Sequence, residues 1–95
     1  MKFEWDLQKE ARNQRKHKIS FREAATVFGD PLSITVTDPS HSVVEHRFLT
    51  VGLSFRQRPL IVSHLDRGEA IRIISARPLT KSERKTYEEP IKKQS

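Results

Sequence analysis

The stretch IRIISARPLTKSERKTYEE, residues 71–89, decides the reading of this chain. Ile71 to Ala76 read as an apolar strand that ends on Arg77, and Pro78 turns the chain. Thr80-Lys81-Ser82-Glu83 has the spacing of a capping box and opens a short helix over residues 81–88, which carries Arg84 and Tyr87. A strand end and a capped helix start hold their side chains in fixed places. Arg77 and Tyr87 are therefore the first candidates for chemistry.

Upstream of that stretch lies a strand meander. Residues 70–76 pair with residues 60–66, opened by Pro59, through a tight turn at Arg67-Gly68. In that register His64 pairs with Ile71 and Ser63 with Arg72. Paired residues share a face, so His64 and Arg72 point to opposite sides and do not line the same cleft. Residues 45–53 read as the preceding strand, with Arg47, Leu49, Val51 and Leu53 on one face, and residues 55–58 form a polar, basic hairpin tip. Residues 32–37 alternate Leu32, Ile34 and Val36 against Ser33, Thr35 and Thr37, the pattern of a half-buried strand, and Asp38-Pro39-Ser40 turns it.

Helices come before the meander. Ser20-Phe21-Arg22-Glu23 is a second capping box, with Ile19 placed to staple onto Ala24. Phe21, Ala24, Ala25 and Phe28 share one helical face, Gly29 is expected to end the helix in the left-handed conformation, and Pro31 blocks its continuation. Asp6 is placed to cap a helix over residues 7–17. That helix has a narrow stripe of Leu7 and Ala11 and a broad basic face from Lys9, Arg12, Arg15, Lys16 and His17. Residues 2–5 read as an edge strand with Trp5 in the core. The order β-α-α-β-β-β-β-α implies an α+β fold: an antiparallel sheet with the two N-terminal helices packed on one face and a short C-terminal helix. Residues 1–89 form a single domain, and 90–95 a polar tail.

Composition narrows the function classes. A 95-residue chain is one small domain, which buries roughly 60–65% of its unfolded surface and so has a thin core. It has no cysteine, hence no disulfide and no thiolate metal site; together with the lack of a signal-peptide pattern or membrane-length apolar run, this points to a cytoplasmic protein. A net charge of +6 favours polyanionic partners, nucleic acid or an acidic protein segment. His17, His41, His46 and His64 show no ligand spacing, so neither a metal site nor a cofactor is expected. There is no GxSxG nucleophile turn and no Gly-rich phosphate loop.

What remains is a set of arginines, Arg47, Arg56, Arg58, Arg72 and Arg77, and one phenol, Tyr87. The guanidinium fork suits phosphate. RNA can be cut without metal, because its 2′-hydroxyl attacks the neighbouring phosphorus. That reaction needs a base, an acid and cations on the phosphate, roles open to Arg, Lys, His and Tyr. Arginines on a small sheet are more often solvated strand faces, and a tyrosine on an amphipathic helix more often packs. Arg77 could equally pair with Glu83 or Glu88 and only pin the last helix.

The chain resembles the BrnT family of bacterial toxins, within the RelE-like ribonucleases. The matching residues are Phe3-Glu4-Trp5-Asp6; Lys9, Asn13 and Lys16-His17; Ile19-Ser20-Phe21, Glu23-Ala24 and Val27-Phe28; and residues 72–77 with Glu83-Arg84 and Tyr87-Glu88. The resemblance implies a RelE-like fold with a basic cleft on the sheet face opposite the helices. It implies metal-independent endoribonuclease activity that arrests translation and growth. It also implies neutralisation by a BrnA-type ribbon-helix-helix antitoxin, with operator DNA bound only through the complex. Arg77 and Tyr87 stand in matching positions as catalytic candidates, with Arg58 and His64 as further ones; Lys16, His17 and Arg56 are candidates for RNA binding. Lys18 departs from the family, which usually has glycine there, and so is expected to strain the first helix end. The alternative from another class is a non-catalytic basic module that binds nucleic acid or an acidic protein, or a co-regulator of transcription with its antitoxin.

Overall fold

The computed structural model describes residues 1–38 and 47–94, with side chains through residue 88. The chain runs β1 (Lys2–Trp5), α1 (Leu7–His17), α2 (Phe21–Thr26) continued by a 3-10 turn (Val27–Gly29), β2 (Ile34–Thr37), β3 (Arg47–Leu53), β4 (Pro59–Arg67), β5 (Ala70–Pro78) and α3 (Lys81–Gln94). The sheet order is β1-β5-β4-β3-β2. Strands β2 to β5 form the antiparallel meander, but β1 runs parallel to β5, so the sheet is mixed rather than antiparallel. The two helices carry the chain from one sheet edge to the other, and a strand linked through helices is not bound to alternate in direction as a hairpin strand is.

The caps form as their sequences require. Asp6 accepts from the N–H groups of Gln8 and Lys9 at 2.8 and 3.0 Å, and Ser20 accepts from Glu23 at 3.0 Å. The core lies between α2 and the sheet: Ile19, Phe21, Ala24 and Val27 meet Leu60, Val62, Ile73 and Ala76. Trp5 packs edge-on to Phe21 at the margin of that cluster.

Several local expectations are corrected. Gly29 is not left-handed; α2 tightens into the 3-10 turn, whose three-residue period rotates Val27 into the core and leaves Phe28 half-buried. Lys18 takes the left-handed cap instead, at φ 60°. Strand β2 is exposed along both faces, with Ile34 and Val36 about half exposed, because it is an edge strand that α3 reaches only across an open cavity at Ile34. Leu7 and Ala11 are exposed as well, and α1 turns a polar face inward. The tight turn uses Gly68-Glu69 rather than Arg67-Gly68, with Gly68 at φ 62°, so Arg67 pairs with Ala70. Helix α3 passes Pro90 rather than ending before it, because a proline interior to a helix forfeits one hydrogen bond without compelling a stop. The expected turn at Pro39-Ser40, the strand start at Glu45 and both His41 and His46 lie outside the described residues.

Gly52 is required by close approach. A Cβ there would meet Ser33 Cβ and Val27 Cγ1 at 3.0 Å, so the chain at the start of β2 and the 3-10 turn can press onto β3 only over a bare backbone.

Candidate active site

A bulge in β5 shapes the sheet face opposite α2. Ser63 pairs with Ser75 but His64 pairs with Ile73, which leaves Ile74 as the extra residue. Arg72 and Arg77 are five positions apart and would face opposite ways in a regular strand. The bulge resets the alternation. Arg72 pairs with Leu65, Ser75 with Ser63 and Arg77 with Ile61, and those three β4 residues share one face. Arg72, Ser75 and Arg77 therefore stand on one open face, while Ile73 and Ala76 are buried on the other.

Helix α1 walls this face on the side of β5 left bare by β1, whose pairing ends at Trp5 and Ile73. A groove of about 200 Å³ lies between Lys9, Arg12, Lys16 and His17 of α1 and Ile74 and Ser75 of β5. Lys9 and Ile74 also line a second groove, of about 490 Å³, with Arg47, Arg67 and Arg72. The two form one cationic track. Glu4 partly screens it, 3.6 Å from Arg67 and 3.8 Å from Arg72. Of these α1 residues, only Lys16 and His17 are expected in the site from sequence; the basic face of α1 is visible there, but its docking along β5 is not.

His17 is half-buried at the end of α1. Burial, then the charges of Lys16 and Arg77, lower its pKa, so the imidazole is neutral near pH 7. Arg77 does not line the groove, but it lies near enough for its charge to act on His17. Its guanidinium holds both oxygens of Glu83, Nη1 to Oε1 at 2.8 Å and Nη2 to Oε2 at 3.0 Å, and Nη1 also donates to the Pro78 carbonyl at 3.2 Å. Three of its five N–H groups are used in this way. Glu83 completes the capping box, accepting from Thr80 N–H at 2.9 Å while its own N–H donates to Thr80 Oγ1 at 3.2 Å. The Arg77 fork is the main cause that holds the Glu83 carboxyl down at about 2.

Of the other candidates, Arg58 lies at the same end of α1 but is held by Glu23, and His64, Tyr87 and Arg56 stand elsewhere. Arg58 donates through Nε to Glu23 Oε2 at 2.8 Å, forms a second, very short bond through Nη2 to Oε1, and reaches the Lys18 carbonyl at 3.3 Å. Glu23 is 3% exposed and also accepts from Ser54 Oγ at 2.6 Å. His64 is 2% exposed on the helix-covered face, against Phe28 and Phe48. Its Nδ1 faces Asp66 Oδ1 at 3.1 Å and must carry the hydrogen, because a carboxylate only accepts; Nε2 then accepts from Thr50 Oγ1 at 2.8 Å. Burial lowers its pKa against the opposing pull of Asp66. His64 and Arg72 lie on opposite faces, but in a register other than the expected one: His64 pairs with Ile73 rather than Ile71, and Arg72 with Leu65 rather than Ser63. Tyr87 donates to Asp30 Oδ2 at 3.3 Å and helps seat α3 over a cavity of about 430 Å³ floored by Ile34, Val51 and Ile61. Arg56 sits at the exposed tip between β3 and β4, apart from the groove between α1 and β5. Among the described residues, no three His, Asp or Glu side chains are grouped to hold a metal, and no helix is long and apolar enough to cross a membrane.

Residues 5–83 match the model of the ribonuclease toxin BrnT of type II toxin–antitoxin systems. The chain belongs to the BrnT family. The fold agrees: the structure is similar to the crystal structure of the Brucella abortus ribonuclease toxin BrnT, with a TM-score of 0.67 at 21% identity over 85% of this chain and 99% of that one. No curated protein matches the chain in sequence. Membership in the BrnT family makes this a ribonuclease toxin of a type II system, a class defined with an antitoxin partner.

Proposed function

We propose that this protein is a metal-independent endoribonuclease of RelE-like mechanism, working at the end of the groove between α1 and β5. The observation that carries this reading is a neutral His17 beside Lys16 in a cation-lined groove, with Arg77 near enough for its charge to act on His17. His17 takes the proton of the RNA 2′-hydroxyl as its oxygen bonds to phosphorus. The bond from phosphorus to the 5′ oxygen breaks, that oxygen takes a proton from water, and the hydroxide left takes the proton held by His17. Arg77 offsets the charge that builds on the non-bridging oxygens. Lys16, with Arg12 and Lys9 behind it, holds flanking phosphates. Arg58, His64 and Tyr87 act through the fold: Arg58 neutralises Glu23, His64 fills the core and Tyr87 seats α3. The proposed antitoxin is a BrnA-type ribbon-helix-helix protein that covers the basic face, and operator DNA is bound through that complex.

The Arg77–Glu83 fork supports a second reading, a binding module in which Arg77 only anchors α3. Expression in a bacterial host separates the two. The ribonuclease reading expects growth arrest by the wild type, relief by the cognate antitoxin, and full growth with a folded Arg77→Ala protein. Tolerance of the wild type, or arrest by Arg77→Ala, rejects it.

A further inference from the structure

Helix α1 is attached to the molecule by polar groups. Glu10, Asn13 and His17 are its inward residues, spaced i, i+3 and i+7 on one face, and of these Asn13 is buried, at 6% exposure. Glu10 accepts from the Phe21 N–H at 3.0 Å, at the start of α2. Asn13 makes three hydrogen bonds. Its Oδ1 accepts from the Ala76 N–H at 3.1 Å, and its Nδ2 donates to the Ala76 carbonyl at 2.8 Å and to the Ile19 carbonyl at 3.0 Å. The carboxamide thus pairs with both main-chain groups of one β5 residue, as a neighbouring strand would, where β1 has already ended.

The positions of those partners carry the inference. Ala76 directly precedes Arg77. Ile19 lies two residues after His17, beyond the strained left-handed turn at Lys18. His17 itself is one helical turn beyond Asn13 on the same face, about 6 Å along the axis. One side chain therefore ties the strand that carries Arg77 to both flanks of the helix end that carries His17. We propose that Asn13 is a positioning residue that sets the spacing between His17 and Arg77 by pairing with the Ala76 main chain and the Ile19 carbonyl.

The apolar residues of α1, Leu7 and Ala11, are exposed and add no buried apolar anchor among the described residues. A leucine at position 13 would fill the same volume but would fix neither the rotation of α1 nor its slide along β5. A displacement of about 1 Å between reacting groups costs on the order of a hundredfold in rate. This inference rests on the ribonuclease reading for its kinetic half only.

The test compares wild type, Asn13→Leu and Asn13→Asp. Asn13→Asp keeps the shape and the acceptor for the Ala76 N–H but loses both donors. Initial rates on a mixed-sequence single-stranded RNA oligonucleotide give kcat and KM, and NMR gives the titration of the His17 imidazole. In folded Asn13→Asp, kcat is expected to fall about a hundredfold with KM within about twofold of wild type. In folded Asn13→Leu, the His17 pKa is expected to rise towards its ordinary value as burial and the Arg77 charge recede. Wild-type kcat in either folded variant, or an unchanged His17 titration in Asn13→Leu, overturns the assignment. The titration needs no cleavage, so the placement is tested even where the wild type proves not to cut RNA. An inactive wild type whose His17 titration shifts as expected leaves Asn13 as the tie and rejects only the ribonuclease reading.

Discussion

Arg58→Ala separates a structural arginine from a catalytic one. In the native protein Arg58 supplies two charge-assisted bonds to Glu23, whose carboxylate is almost fully buried, and one bond to the carbonyl of Lys18. Breaking a buried pair by removing one partner costs about 3–5 kcal/mol. The Arg58 side chain is 35% exposed, so part of its attraction is screened and water can reach the vacated site. We therefore expect a loss of about 2–3 kcal/mol at neutral pH, read as a fall in Tm of about 10–20 °C for a domain of this size.

The acid sensitivity of this variant should be weaker than that of the wild type. In the wild type, the Arg58 bond is the main cause that lowers the Glu23 pKa below its ordinary 4.5. The carboxylate then stabilises the fold above pH 4.5, and that contribution is lost as pH falls through the folded value. Without Arg58 the largest lowering cause is gone, and burial opposes only the Ser54 bond and the Arg56 charge. The folded pKa of Glu23 therefore moves up towards its ordinary value, and the stability lost on acidification shrinks. Thermal melts across the acid range, with and without Arg58, measure both effects. An Arg58→Ala protein that melts like wild type but has lost RNA cleavage would refute this reasoning and return Arg58 to the chemistry.

Three further substitutions follow from local geometry. Lys18→Gly relieves a left-handed residue that costs about 1–2 kcal/mol while adding unfolded-chain entropy worth about 0.5–1 kcal/mol; the unfolding free energy should rise by about 0.5–1 kcal/mol, read as a higher denaturant midpoint at an unchanged slope, and a fall would mean the turn is not strained. Ser20→Ala removes the hydroxyl that caps α2, and urea titration should show a loss of about 1 kcal/mol with activity per folded molecule retained. Glu83, held at about 2, stabilises fully above pH 4.5 and loses that contribution between pH 4.5 and 2. Glu83→Gln should therefore cost less than about 1 kcal/mol at pH 7, since the pair is well exposed, and should flatten the acid limb of the stability profile; an unchanged limb would place the acid sensitivity elsewhere.

Elements whose cause is local were legible in the sequence, and those set by long-range pairing were not. The Asp6 and Ser20 caps, the Thr80–Glu83 box and the face of Phe21 and Ala24 are local patterns, and each formed. Lys18 announced a strained helix end, and the structure has one. The direction of β1 was hidden, because nothing in Lys2–Trp5 encodes which strand it will meet. The bulge at Ile74 was hidden too, since no glycine marks it, and with it went the shared face of Arg72 and Arg77. Hydrophobic periodicity misled in α1, where the inward face is Glu10, Asn13 and His17, and in β2, whose alternating Ile34 and Val36 lie half exposed at the sheet edge. For the site, Lys16 and His17 fell in one groove with Arg77 near enough to act on His17, while Arg58 and His64 proved to be held by Glu23 and by Thr50 with Asp66.

The central claim is tested most directly by incubating purified, antitoxin-free protein with RNA in the presence of EDTA, alongside a folded Arg77→Ala protein. The account predicts that the wild type cuts and leaves 2′,3′-cyclic phosphate ends, and that Arg77→Ala is slower by on the order of a hundredfold to a thousandfold. Intact RNA with the wild type, or cleavage by Arg77→Ala at the wild-type rate, would contradict it.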